Sequence, residues 1–453
     1  MWFLFVLLIV AFIDRINIGF AALTMNRDLG LSAAAFGASI SVFYVGYALC
    51  EIPSNLALAR FGARLWIARI MITWGIASAA TALAVGAWSL YGLRLLVAIA
   101  EAGFQPGMFL YITYWFPQTH RARANAVFIM GAPATIAIAS TLSGFILGMD
   151  GFLGLAGWRW LFLLEGVPAV ILGILCFFYL ADGPATARWL SHDDKTLLLA
   201  RLDRDRAAAE HAAGDRSVLR QLGHRNVVLM SIAYFGLISS LNTNGTWTPL
   251  IIREIAPGSS FIIVGLLTAV PALLGAAAMW LWCRSSDRRD ERAWHIRIGL
   301  LVAAVGWLLV AEAAMPGVRY LGLILVSAGS FCALAVFWTL CGTLLSQRAG
   351  PAGMALINSV GIAGGSAITP FVVGVLKDWM GSFAPGLLFV MATVLLTVAL
   401  VTLVTAHQRA TAGRSELIMR CGRLVFDSPE KNREATRERG NISRSCVSCG
   451  RNL

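Results

Sequence analysis

The chain has 453 residues, of which 58% are hydrophobic and 13% charged, and its formal net charge is +12 at pH 7. A soluble protein of this length needs far more polar residues to cover its surface, so this composition excludes an ordinary soluble fold and predicts a polytopic membrane protein. The eight cysteines indicate no disulfide framework, because most of them lie in or beside apolar runs.

Twelve apolar segments follow one another along the chain, each about 20 residues long, which is the length that spans a hydrocarbon core of ~30 Å. We predict them at residues 2–25, 36–57, 67–86, 89–111, 126–148, 159–181, 227–249, 261–281, 297–315, 320–345, 354–376 and 385–406. The first is a spanning helix and not a signal peptide, because Asp14 and Arg15 interrupt its apolar run.

This pattern predicts an all-α membrane fold of two six-helix bundles. The predicted domains are an N-terminal bundle at 1–181, a cytoplasmic linker with a short surface helix at 182–226, a C-terminal bundle at 227–408 and a disordered tail at 409–453. Basic loops at 60–69 and 284–297 occupy equivalent places in the two bundles, as expected of a parallel internal repeat.

Alternate loops collect the basic residues, which is how cytoplasmic loops are marked. The opposite side has only Arg27, Arg159, Arg253, Arg319 and Lys377. We therefore expect both termini and the linker in the cytoplasm, and we interpret the positive charge as a topology signal that gives no reason to expect a nucleic-acid partner.

Among the ionisable residues inside the predicted spans, five are candidates for a functional site, namely Asp14, Arg15, Glu51, Arg94 and Glu101. Each costs about 2.5–3.5 kcal/mol on insertion scales, so each is a functional candidate. Twelve apolar residues precede Asp14, which places it roughly 18 Å into its helix, near the middle of the membrane. For Glu51, close to the end of its span, a structural role is as plausible as a functional one.

Arg94 and Glu101 are seven residues apart and share one helix face, with Gln105 one turn further on. If the first and fourth spans meet, Asp14 and Arg15 join them in a site of two carboxylates and two guanidiniums. An arginine fork suits a substrate carboxylate, and a carboxylate in a partly dehydrated site can exchange a proton. The alternative is a buried salt-bridge network that only fixes helix packing.

Other polar and aromatic residues are candidates for completing a cavity. They are Tyr44, Tyr47, Asn242, Asn244, Trp338 and Asn358. Each aromatic side chain also has a packing interpretation. A bend in the fourth span is expected at Pro106-Gly107, and Glu165 is expected to pair with Arg159 for structural reasons.

Six stretches carry a family resemblance over residues 2 to 408. They are "FIDRINIGFAALTMNRDLGLS", "EIPSNLALARFGARLWIARIMITWG", "EAGFQPGMFLYITYWFP", "GWRWLFLLEGVPAV", "SDRRDERAWH" and "INSVGIAGG". The chain resembles the anion:cation symporter family of the major facilitator superfamily, near its tartrate, phthalate and 4-hydroxyphenylacetate permeases.

The resemblance implies roles for several residues. Asp14 and Glu101 match the proton-coupling acids, and Arg15 matches the first-span arginine. Arg94 matches the fourth-span arginine that pairs with the acid two turns on. Tyr47, Trp338 and Asn358 match positions that contact substrate, and Gln105 and Asn242 complete the set of predicted substrate-binding residues.

This chain departs from the family pattern at three positions. Ala59 stands where the first cytoplasmic loop motif has an aspartate, Asn242 stands where relatives commonly have tyrosine, and Ile362 replaces an asparagine. The last two changes leave the substrate open.

The leading hypothesis is a proton-coupled importer of a small organic anion in a bacterial inner membrane. The alternatives are efflux of a drug or metabolite and a membrane receptor or scaffold that transports nothing. An enzyme is disfavoured, because no nucleophile–base or metal constellation appears in the sequence. We expect the partners to be the anion, protons and the lipid bilayer, with no cofactor, no metal and a monomeric carrier.

Overall fold

The computed structural model describes residues 2–213, 225–344 and 350–426, and these residues are helical apart from turns and short loops. The first half of the chain contains α1 Trp2–Asp28, α2 Ala33–Phe61, α3 Ala63–Ala80, α4 Ala87–Glu101, α5 Phe104–Trp115, α6 Gln118–Leu147, α7 Gly157–Tyr179 and α8 His192–Ala213. The second half contains α9 Arg225–Ile255, α10 Phe261–Arg289, α11 Ala293–Glu312, α12 Pro316–Leu344, α13 Gly350–Met380 and α14 Ala384–Phe426.

Eleven helical segments of the described ranges are long and apolar enough to cross a membrane. One of them, Ala87–Trp115, combines α4 and α5. The twelfth predicted span corresponds to α6, whose described apolar part, Thr135–Leu147, is shorter. The predicted all-α membrane architecture is therefore confirmed, and large apolar side chains such as Trp88 and Phe178 remain exposed on its surface, as lipid contact requires.

The fourth span is broken directly after Glu101, earlier than the bend predicted at Pro106-Gly107. Ala102 is extended, and Gly103 has a φ of 83°, in the left-handed region. A Cβ on Gly103 would also lie only 2.5 Å from Oγ of Ser54 on α2. Glycine is required at this position for both reasons, and the break makes Glu101 the last residue of α4.

The two halves of the chain meet along α2 with α13, α6 with α10 and α1 with α9. Glycines bring these helices to backbone contact: a Cβ on Gly37 would overlap the carbonyl oxygen of Pro370, and one on Gly19 would lie 2.7 Å from the carbonyl oxygen of Thr246. Small residues allow such close packing between membrane helices.

A carboxylate strengthens the α2–α13 contact. Asp378 of α13 accepts hydrogen bonds from the backbone N–H groups of Ala33 and Ala34, at 2.9 and 2.7 Å, and so caps the N-terminus of α2. The contacts between the halves therefore concentrate at the end of the molecule where α1 finishes and α2 begins.

The predicted surface helix of the linker is present as α8, and residues 214–224 lie outside the described ranges. Asp205 of α8 accepts a hydrogen bond of 2.7 Å from the backbone N–H of Gln118, the first residue of α6. The rings of Trp189 and Trp115 stack at 5.6 Å. These contacts fix the linker helix to the first half of the chain.

The last helix continues into the segment that was expected to be a disordered tail. α14 runs to Phe426, and residues 427–453 lie outside the described ranges. Two of the eight cysteines, Cys446 and Cys449, whose spacing is that of half a metal site, lie among these residues.

The glycine contact between α2 and α13 can be tested by adding a single methyl group. We expect Gly37→Ala to lower the free energy of unfolding by about 1–3 kcal/mol, because the new Cβ meets backbone that cannot rotate away. Gly92→Ala is the matched control: its Cβ would have nothing within 4 Å, so we expect no loss and a gain of up to about 1 kcal/mol. Thermal unfolding in detergent measures both, and equal effects would contradict the proposed packing constraint.

Candidate functional site

An ion pair between Arg15 and Glu101 joins the first span to the fourth. Nε and Nη2 of Arg15 lie 2.8 and 2.7 Å from Oε1 of Glu101, and Nη1 donates a 3.2 Å hydrogen bond to Oε1 of Gln105. The Glu101 side chain is fully buried, whereas that of Arg15 is 20% exposed. The structure thus brings these three predicted residues together on α1, α4 and α5.

The aromatic ring of Tyr47 lies against the same guanidinium. Its centroid is 5.2 Å from Cζ of Arg15, within the range of a cation–π interaction. Glu51 is one turn further along α2 and interacts electrostatically with Arg15. Arg15 is therefore held between a carboxylate and an aromatic face and is the partly exposed cation of the site.

Asp14 lies in a separate environment, although it is the neighbour of Arg15 in sequence. It is 2% exposed and accepts hydrogen bonds from Nε1 of Trp74 at 2.8 Å, from Nδ2 of Asn17 at 3.2 Å and from the hydroxyl of Ser78. Consecutive residues of a helix point in directions about 100° apart, so the two side chains face different neighbours. Asp14 is thus stabilised by neutral donors and Glu101 by a cation.

Arg94 is buried near both acids but is not hydrogen-bonded to Glu101 as the family resemblance implied. Its guanidinium lies 4.5 Å from the ring centroid of Phe43, and its Nε has no hydrogen-bond partner among the described residues. It interacts electrostatically with Asp14 and Glu101. Two helical turns separate Arg94 from Glu101 by about 10 Å along one axis, whereas Arg15 faces Glu101 directly from α1.

A hydrogen-bond chain crosses from the first half to the second. The hydroxyl of Tyr44 donates to Oδ1 of Asn242 at 3.0 Å, and Nδ2 of Asn242 donates to Oγ of Ser366 at 2.8 Å. Asn242 was predicted as a site residue, but Ser366 was not. Ser366 directly follows the glycine-rich stretch "NSVGIAGG" of α13, but no pattern in the sequence marks it as a site residue.

The remaining predicted site residues have other surroundings. Trp338 packs against the rings of Tyr234 and Phe337, with centroids 4.9 and 5.8 Å away, and Asn358 is half-buried on α13. Neither contacts Arg15 or Glu101 in the hydrogen bonds and ring contacts of the described ranges. Their predicted role in substrate contact stays a prediction.

The predicted pairing of Glu165 with Arg159 is wrong. Arg159 donates to the carbonyl oxygens of Ala82 and Ala84, at 2.7 and 3.4 Å, while Glu165 accepts from Oγ of Ser143 at 3.0 Å. Six residues of helix turn through about 600°, so the two side chains leave α7 in different directions.

Comparisons with known proteins agree with this architecture. The sequence profile of the Major Facilitator Superfamily matches residues 4–370. A protein of Agrobacterium vitis named "Putative tartrate transporter" is 46% identical over 405 residues, covering 89% of this chain and 92% of that protein. The "Quinolone resistance transporter" of Acinetobacter baumannii is 38% identical over 403 residues, covering 89% and 92%. These relatives confirm the predicted family resemblance. They also confirm the prediction that the chain is a transporter and not an enzyme.

A solved structure shows the same fold at low sequence identity. A bacterial homologue of the human lysosomal transporter Spinster, in an inward-facing and unoccupied conformation, matches with a TM-score of 0.73 at 19% identity. The match covers 89% of this chain and 96% of that chain. At this identity the likeness establishes the fold alone.

The Arg15–Glu101 pair can be tested by a double-mutant cycle. We expect Glu101→Ala to leave Arg15 without its counter-ion, at a cost of up to about 3 kcal/mol, reduced from the fully buried case because Arg15 is partly exposed. Arg15→Ala should likewise leave Glu101 without its counter-ion. The double variant leaves no unpaired charge behind. Its loss of unfolding free energy should therefore be smaller than the sum of the two single losses, by at least about 1 kcal/mol. Unfolding free energies that simply add would contradict the pair.

Proposed function

The chain belongs to the Major Facilitator Superfamily, and from this premise we propose that it is a secondary active transporter that imports a small organic anion together with protons. The substrate class is a carboxylate such as tartrate, a sugar acid or an aromatic acid. The observation that carries this proposal is the partly exposed guanidinium of Arg15 beside the fully buried Glu101.

The geometry of this pair supports coupling between proton and anion. Glu101 occupies the Arg15 fork in this conformation through one oxygen, Oε1. A proton on Glu101 removes its charge and weakens the ion pair, which frees the fork for the carboxylate of a substrate. Proton binding and anion binding therefore favour each other.

The surroundings of the pair favour a negatively charged substrate with polar substituents. Arg94 adds a second buried cation near the same acids, and both charges repel cationic molecules. Tyr44 and Asn242 offer neutral hydrogen-bonding groups from the two halves of the chain. These groups suit substrate hydroxyls, which tartrate and sugar acids carry.

The basic loops support an orientation with both termini in the cytoplasm of a bacterial inner membrane. In that orientation the tight contacts of α2 with α13 close the outer side, and the conformation faces inward. Alternating access would separate these helices and break the Tyr44–Asn242 hydrogen bond. We propose that one chain performs this cycle as a monomer.

Export of an organic compound is a second candidate, supported by the 38% identity to a protein named for quinolone resistance. The direction of transport distinguishes export from import. Import predicts accumulation of substrate in right-side-out vesicles with an inward proton gradient, whereas export predicts accumulation in inverted vesicles.

Proteoliposomes give the direct test of coupling. We expect labelled tartrate or an aromatic acid to accumulate only with an inward proton gradient. Glu101→Gln should abolish accumulation but keep exchange of internal for external substrate. Glutamine resembles a protonated glutamate permanently, so the variant cannot release a proton. Uptake that survives collapse of the gradient would reject symport, and normal accumulation by Glu101→Gln would remove Glu101 from the coupling.

Arg15 is tested by substrate binding. We expect Arg15→Ala to weaken binding of the carboxylate at least tenfold, which corresponds to about 1.4 kcal/mol, and Arg15→Lys to recover only part of it, since lysine lacks the planar fork. Arg27→Ala is the control, because Arg27 lies on the same helix with 82% of its side chain exposed. Calorimetry with the purified protein measures all three, and equal affinities for the Ala variants would contradict an anchoring role.

A further inference from the structure

A second buried carboxyl group lies beside Asp14, on the side away from Arg15. Glu165 of α7 is 3% exposed, and Asn17 of α1, which is 0% exposed, stands between the two acids. Nδ2 of Asn17 donates to Oδ1 of Asp14 at 3.2 Å, and the same side chain is within hydrogen-bonding reach of Glu165. We propose that Glu165 is a further proton-binding residue of the carrier, beside Asp14 and Glu101, and that Asn17 links it to Asp14.

No cation of the described residues forms an ion pair with Glu165, which indicates that its side chain is uncharged in this conformation. Among the described residues it accepts a hydrogen bond from the hydroxyl of Ser143, and the amide of Asn17 is a further neutral neighbour. The nearest cation along its own helix, Arg159, is bonded to backbone carbonyls elsewhere. A buried carboxylate that lacks a cation has lost its hydration with no opposite charge to offset that loss, so the neutral acid is strongly favoured.

Unmatched oxygen atoms in the cluster support the same conclusion. Oε2 of Glu165 and Oδ1 of Asn17 are both buried, and neither has a hydrogen-bond partner within the described ranges. Both are acceptors, so the cluster has a surplus of acceptors over donors. One proton on Oε2 of Glu165 turns a surplus acceptor into a donor and reduces that imbalance.

The position of Asn17 couples the two acids. Asp14 and Asn17 are three residues apart on one face of α1, and α1 packs against both α6 and α7. Of the charged groups around the pair, Arg94 and Glu101 interact electrostatically with Asp14, whereas Glu165 interacts with Asp14 itself. A carboxylate at Asp14 opposes ionisation of its neighbour Glu165, so movement of α1 against α7 changes how readily Glu165 keeps its proton.

This inference rests on the proposed proton coupling. It adds one proton to the number that the carrier moves with each anion. In each cycle Glu165 binds one proton on Oε2 on the outer side and releases it on the inner side, and no other bond forms or breaks. Glu101 keeps the role proposed above, and Asp14 keeps the proton-coupling role that the family resemblance implies. The substrate cavity at Arg15 is unchanged.

Infrared spectroscopy of the substrate-free protein at neutral pH tests the buried proton without any transport. We expect a protonated-carboxyl band that Glu165→Gln removes, and that Glu254→Gln, a control at a half-exposed acid bridged to Lys377 and Arg319, leaves in place. Ser143→Ala keeps Glu165 but removes its hydroxyl donor, so it should shift the band. A band that persists in Glu165→Gln, or that ignores Ser143→Ala, would overturn the assignment even if one variant folds poorly.

The proton stoichiometry tests the second half of the proposal. In reversal-potential measurements on proteoliposomes we expect Glu165→Gln to move one proton fewer per anion than the wild type. An unchanged stoichiometry would make Glu165 a permanently neutral structural acid and overturn its role in coupling. A wild type that ignores the proton gradient would instead refute the proposed symport, while the infrared band would still report on Glu165.

Discussion

The cost of placing charge inside a membrane governs the first half of this protein. Each buried ionisable group is expensive, about 2.5–3.5 kcal/mol on insertion scales, and four of them lie within the space between α1, α3 and α4. The structure meets this cost in two ways. Glu101 is neutralised by Arg15 at 2.7 Å, whereas Asp14 is solvated by the indole of Trp74 and by small polar side chains. The helices of this half must keep their relative positions for either arrangement to hold, so the chemistry and the packing depend on the same contacts.

The two halves repeat this arrangement with different chemistry. In the first half, Nε1 of Trp74 on α3 donates to Asp14 on α1 at 2.8 Å. In the second half, Nε1 of Trp307 on α11 donates to Ser240 on α9 at the same distance, and Ser240 in turn bonds Ser330 at 2.8 Å. The helices α1 and α9 also meet directly at Gly19 and Thr246. The repeat thus keeps the tryptophan donor and replaces the acid by a hydroxyl, so only the position in the first half carries a group that ionises near neutral pH.

The sequence predicts the fold well and the pairing of its charges poorly, for a physical reason. Span length and loop charge depend only on local composition, so the order of the spans and the linker helix follow from the chain itself. Which cation meets Glu101 depends on the helix that faces it, and here Arg15 takes the place expected for Arg94. The same limit explains Glu165, whose expected partner on its own helix points elsewhere. Ser366 was missed because a serine in an apolar helix has no distinctive pattern until Asn242 is placed beside it.

The interface of α2 with α13, which joins the two halves, depends on backbone contact more than on side chains. Gly37 and Gly374 meet carbonyl groups of the opposite helix, so this interface has little freedom to loosen by side-chain rotation and separates as a whole. Asp378 adds a charged group to this interface by accepting hydrogen bonds from the N-terminus of α2. These hydrogen bonds are lost when α2 and α13 separate. The Tyr44–Asn242 bond lies further along the same helix α2, near the Arg15 site. In the proposed transport cycle, a substrate that draws Tyr44 or Asn242 away from this bond would remove one of the contacts that close the outer side.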